Sequence, residues 1–145
     1  MQIDLSRAQF ETLLKAVYLG DWMVNAIRTP GNYIREFEEL EQYLLAVAHR
    51  SGFEDIVEFD SRLSQFFLTL ESHERLQPFI DEYDDAAFWD GLVDRLADRD
   101  FTETYGDAAS RMGHEERFEK VGAFVDKYET EVERHGVDRL RILER

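Results

Sequence analysis

The chain has 145 residues, 43% of them hydrophobic and 34% charged, with 32 acidic side chains against 17 basic ones and a formal charge of −15. That balance repels phosphate backbones and anionic lipids, which argues against nucleic-acid binding and a membrane surface, and no apolar run reaches the ~20 residues that span a bilayer. Zero cysteines exclude disulfides, thiolate nucleophiles and Cys-ligated metals, and the opening stretch "MQIDLSRAQFETLL" lacks the layout of a secretion signal, so a cytoplasmic protein is expected.

Ser6 and Gln9 form an S-x-x-Q capping box, with Leu5 and Phe10 placed for a hydrophobic staple, so the first helix is predicted to start here. Leu13, Val17, Gly20, Val24 and Ile27 recur at spacings of four and three, the seam of that helix. A mid-helix glycine costs about 1 kcal/mol against alanine, and close approach of a neighbouring backbone at Gly20 is the expected compensation. "TPGN" (29–32) stops the helix, and Asn32 is placed to cap a second one with Phe37, Leu40, Leu44 and Val47 as its seam. So short a turn makes the two helices antiparallel neighbours.

"DIVEFD" (55–60) reads as a short strand or an extended linker, and residues 61–83 as helical pieces with a start or kink at Pro78. Asp84 or Asp85 is expected to cap a helix running to about Arg99. Its apolar side carries Trp89, Leu92, Val93 and Leu96, and Asp90, Asp94 and Asp98 lie on the other. "DFTETYGD" (100–107) reads as a loop. It is no calcium loop: counted from Asp100, Tyr105 and Arg111 stand where an EF-hand needs its glycine and its last glutamate. A last helix begins between Ser110 and Glu115, with Phe118, Val121, Val125, Tyr128 and Val132 as its seam. Gly136 ends it, with Val137 folding back onto Val132, and "DRLRILE" is apolar enough to dock. No repeat or linker divides the chain. The expected fold is all-α, a single domain over 1–145, built as an antiparallel bundle-like array of about five helices with a minor extended segment near 55–59 or 137–143.

Chemistry is harder to place. The residues three before His49, His73, His114 and His135 are Ala46, Leu70, Arg111 and Val132, so the Glu-x-x-His pattern of a carboxylate-bridged di-iron bundle is missing. There is no G-x-S-x-G and no glycine-rich phosphate loop. No catalytic residue and no cofactor is assigned. "YLGDWMVNAIR" (18–28) gathers Tyr18, Asp21, Trp22, Asn25 and Arg28 beside the seam, where the Asp, Asn and Arg can hydrogen-bond together. Trp and Tyr are the residues interaction hot spots use. Tyr18, Asp21, Trp22, Asn25, Arg28 and Trp89 are therefore the candidate binding residues of a non-enzymatic protein-interaction module, its partner another protein or a second copy in a homodimer.

An alternative comes from Glu36-Phe37-Glu38-Glu39 and Glu82-Tyr83-Asp84-Asp85, which resemble the Glu-x-x-Glu and Glu-x-x-Asp pairs of the all-helical nucleotide pyrophosphohydrolases. That resemblance implies a magnesium- or manganese-dependent hydrolase with Glu36, Glu39, Glu82 and Asp85 as ligands. The chain departs from the family in placing the second pair much later than the neighbouring helix. The cadence of "YLGDWMVNAIR", "EYDDAAFWDGLVDRLADRDF" and "HGVDRLRI" also resembles small bacterial proteins known only as uncharacterised helical domains. This second resemblance implies a single helical domain and brings no activity with it.

Overall fold

The computed structural model describes residues 3–142. The chain is mostly helical with one small antiparallel sheet: α1 (Arg7–Asn25), α2 (Arg35–Arg50), β1 (Val57–Asp60), β2 (Gln65–Leu68), α3 (Leu70–Glu74), α4 (Gln77–Tyr105), a 3₁₀ turn (Gly106–Arg111) and α5 (His114–His135). Contacts gather into two units, Met1–Asp81 and Glu82–Arg145. The boundary falls inside α4, where no glycine- or serine-rich stretch marks it.

In the first unit, the capping box starts α1 as its sequence requires: Ser6 accepts from the Gln9 amide, and the Gln9 side chain accepts from the Ser6 amide. Arg7 then reaches Asp55 at 2.8 Å and lies 4.2 Å over the Phe53 ring, tying the helix start to the segment after α2. The interior is Leu14 on α1, Leu45 and Ala48 on α2, Phe53, Val57, Leu68 and Leu76. The buried stripes are turned from the expected seams. Leu14 and Leu45 are enclosed, while Leu13 and Leu44 are half-buried and Leu40 and Ile27 face water. Gly20 has no crowding neighbour either; a Cβ built there meets nothing within 4 Å, so close backbone approach is not its explanation.

The extended segment expected near 55–59 is β1, and "QFFL", expected to be helical, is its partner β2. Their register pairs Phe59 with Phe66, whose rings lie 4.8 Å apart. Asp60 closes the hairpin by accepting from the Arg62 and Leu63 amides. The sheet packs on α2, and β2 also meets α3. Residues 137–139 form turns rather than the alternative extended segment, and residue 143 lies outside the described residues.

Pro78 starts a helix, as its missing N–H allows in a first turn, but that helix is α4 itself. Asp84 and Asp85 thus lie inside it and cap nothing. The reason is the burial of Leu76 and Ile80, which draws the first turn back to Gln77.

The second unit is an α-helical hairpin. The stretch 100–107, expected as a loop, continues α4 to Tyr105 because Phe101 is 1% exposed and Asp100 is anchored to α5. Tyr128 donates its hydroxyl to Asp100, Lys127 Nζ lies 2.9 Å from the same carboxylate, and Arg99 donates to it at 2.7 Å. These bonds hold Asp100 well below the usual carboxylate range, with the Tyr128 hydroxyl the largest cause. Val121, Val125, Tyr128 and Val132 line the half-buried side of α5, whereas Phe118 is 80% exposed and drops out of the expected seam. Gly136 caps the helix at φ 53°, and Val137, expected to fold back onto Val132, is half exposed.

Candidate functional site

Spacings of three, one and three place Tyr18, Asp21, Trp22 and Asn25 on one face of α1. α2 runs back alongside and presents Glu38, Glu41 and Gln42. With Tyr33 from the connecting turn and Phe66 from β2, these residues line a cavity of about 310 Å³. Four of the six candidate binding residues meet here.

Two amides frame the cavity by imitating a strand partner. The Asn25 side chain accepts from the Ile34 N–H at 2.8 Å and donates to the Ile34 carbonyl at 3.3 Å, pinning the turn between the helices. It also donates to Asp21 at 2.7 Å. Asn25 is 6% exposed, and a buried amide so fully bonded holds its backbone partners in place. Gln42 repeats the device across 24 residues: it accepts from the Phe66 N–H and donates to the Phe66 carbonyl, both at 2.9 Å. Phe66 faces Phe59 in the register, so its own N–H and C=O point to the sheet edge, where Gln42 meets them.

Arg28 does not join this network. Its guanidinium turns back to the Val24 carbonyl on α1, covering an orphan acceptor of the helix end. Trp89 lies in the other unit, where its indole N–H donates to Asp85 at 3.1 Å.

The electrostatics of the cavity are one-sided. Asp21, Glu38 and Glu41 line it, and no lysine, arginine or histidine does. Burial, then the charges of Asp21 and Glu38, push the Glu41 carboxyl up from 4.5 to about 7. Tyr18 is raised as well, first by burial and then by Glu41 and Asp21. Beside these acids the aromatic residues Tyr18, Trp22, Tyr33 and Phe66 line the cavity. Such a site attracts a cation by charge and by the electron-rich ring faces together.

The α2 side of the cavity escaped the sequence reading. Its trace is the trio Glu38, Glu41 and Gln42 at i, i+3 and i+4, which must share a face. Which face looked inward depended on the sheet.

The carboxylates of the hydrolase alternative are arranged differently. Glu36 and Glu39 are exposed on α2, Glu82 and Asp85 are exposed on α4, and Asp85 is engaged by Trp89. Among the described residues, no group of three or more His, Asp or Glu side chains is placed to hold a metal ion. Among them, too, no helix is long and apolar enough to cross a membrane. Comparison with protein families, curated proteins and solved structures finds no match to this chain.

Proposed function

We propose that this protein is a non-enzymatic interaction module whose cavity between α1, α2 and β2 receives a cationic side chain, an ammonium or a guanidinium, from a protein partner. One observation carries the reading: three acidic residues line an aromatic-lined cavity with no basic residue to balance them. Burial, and then the like charges of Asp21 and Glu38, raise Glu41 to about 7, and an incoming cation relieves the repulsive part of that shift. The cavity is of the size that takes a side chain or small organic cation. Arginine fits it best in kind, because its planar head stacks on rings and donates to two carboxylates at once.

The test is calorimetric titration of the protein with N-acetyl-arginine amide, using N-acetyl-citrulline amide as the uncharged isostere. The arginine probe is expected to bind and, near pH 7, to release protons as Glu41 ionises, so that the heat changes with buffer. Asp21→Asn and Glu41→Gln should each weaken it. Equal binding of the citrulline probe, or binding untouched by both substitutions, would show that the acids of this cavity do not recognise charge.

A further inference from the structure

The α4–α5 hairpin carries a second surface, distinct from the cavity in the first unit. Between the two helices runs a groove of about 550 Å³. Trp89 and Val93 from α4 and Val125 and Val132 from α5 make it apolar. Asp90 and Asp94 stand along one side and Glu129 and Glu133 along the other, all four exposed. Each pair is spaced i, i+4, one turn of helix, so the acids form two parallel rails above an oily channel.

What sets these four acids apart is their place, in pairs on both sides of one apolar groove. Asp100 is held by Arg99, Lys127 and Tyr128, Glu116 by Lys120, and Glu131 by Arg139. Among the described residues, none of the four rail carboxylates has a hydrogen bond or an ion pair. Both helices carry cations, yet none lines the groove.

From this geometry we infer that the groove docks a basic amphipathic helix of a partner protein. Apolar residues of that helix at i, i+3 or i+4, and i+7 would lie in the channel, and its lysines or arginines would flank them and meet the rails. Trp89 to Val93 is one turn and Val125 to Val132 about two, so the groove grips two to three turns of the incoming helix. A second copy of this chain is a poor occupant, because it would set acidic rails against acidic rails.

The experiment uses the 145-residue chain and labelled synthetic peptides followed by fluorescence anisotropy. The probe is a lysine–leucine helix of about 15 residues, long enough to form once docked. A peptide of the same composition with its leucines scrambled controls for charge alone. The amphipathic peptide is expected to bind more tightly than the scrambled one. Asp90→Asn, Asp94→Asn, Glu129→Gln and Glu133→Gln made together should weaken it about tenfold, or about 1.4 kcal/mol. The matched set Asp98→Asn, Glu119→Gln, Asp126→Asn and Asp138→Asn removes the same charge from exposed positions off the groove and should change affinity little. Equal binding of the two peptides, or equal losses in the two variant sets, would reduce the effect to net charge and overturn the proposal. So would sedimentation showing that the groove closes on a second copy. None of these outcomes bears on the arginine-probe titration of the first unit.

Discussion

Replacing Glu41 with glutamine removes a carboxylate that folding makes harder to ionise. Burial and the charges of Asp21 and Glu38 lift it from 4.5 to about 7. The folded state therefore binds the proton more tightly than the unfolded chain. By linkage, stability falls as pH rises from 4.5 to about 7 and is level outside that window as far as this group is concerned. At about 1.4 kcal/mol per pH unit, the interval from 4.5 to about 7 sets an upper bound of about 3 kcal/mol. Water entering the open side of the cavity reduces this to about 1–2 kcal/mol. Glutamine keeps the shape and carries no charge. Wild type and Glu41→Gln should thus be nearly equal in stability at the acid end of the window. Above pH 7 the variant should be more stable by about 1–2 kcal/mol, each kcal/mol appearing as about 2–4 °C in Tm. Urea melts stepped across the window measure the difference directly. A gap that is the same at both ends, or a variant less stable than wild type above pH 7, would refute the reasoning.

Gln42→Leu keeps the apolar stem but leaves the Phe66 N–H and C=O without their partners. It should cost about 1–3 kcal/mol and speed hydrogen exchange at the Phe66 amide; unchanged exchange there counts against the strand-partner role. Asp100→Asn should lower Tm at neutral pH, because the carboxylate gathers Tyr128, Lys127 and Arg99. Since its folded value is depressed, that stability is present above pH 3.8 and lost as pH falls, so the gap between variant and wild type should narrow in acid melts. Gly136→Ala should destabilise by about 1–3 kcal/mol. The cause is the backbone at φ 53° and ψ −129°, not the new Cβ, which lies 3.7 Å from the Trp89 ring in ordinary contact. A semisynthetic chain with D-alanine at 136 should recover most of the loss, and failure to do so would point to crowding instead.

How far the sequence was legible follows from the range of the interactions involved. The capping box of α1 is spelled within four residues, and it forms as written. Tyr18, Asp21, Trp22 and Asn25 share a face by helix geometry alone, so their meeting could be expected before any neighbour was known. The seams were harder, because Leu13–Leu14 and Leu44–Leu45 are doublets. Either member of a doublet satisfies the periodicity, and the packing of α2 against the sheet chose the second. "QFFL" carries no alternation strong enough to declare a strand. It becomes one because β1 pairs it on one edge and Gln42 holds the other, 24 residues away. The stretch 100–107 looks like a loop by composition, and only burial of Phe101 and the Asp100 bonds to α5 keep it helical. Glu41 was invisible for the same reason: a surface glutamate and a half-buried one have the same spacing on a helix.

The acids of this chain fall into two groups that composition cannot separate. One group is matched within the chain or open to water, and it gives solubility at little cost. The other lines concave surface, with Asp21, Glu38 and Glu41 beside aromatic residues in one cavity and the four exposed rails along the α4–α5 groove. Solubility alone gives no reason to bury part of Glu41 among like charges, since the same charge on an exposed helix face would solubilise equally well without raising its pKa. Nor does it explain why four exposed acids stand in pairs on both sides of one apolar groove. Both arrangements have a common physical remedy, a positive charge supplied from outside together with apolar or aromatic surface. Binding that depends on charge alone decays as salt shortens the Debye length toward ~3 Å, whereas binding that also fills the groove or stacks on the rings retains its apolar part. A salt titration of either interaction therefore separates the two contributions, and a residual affinity at high salt is what the apolar floor of each site requires.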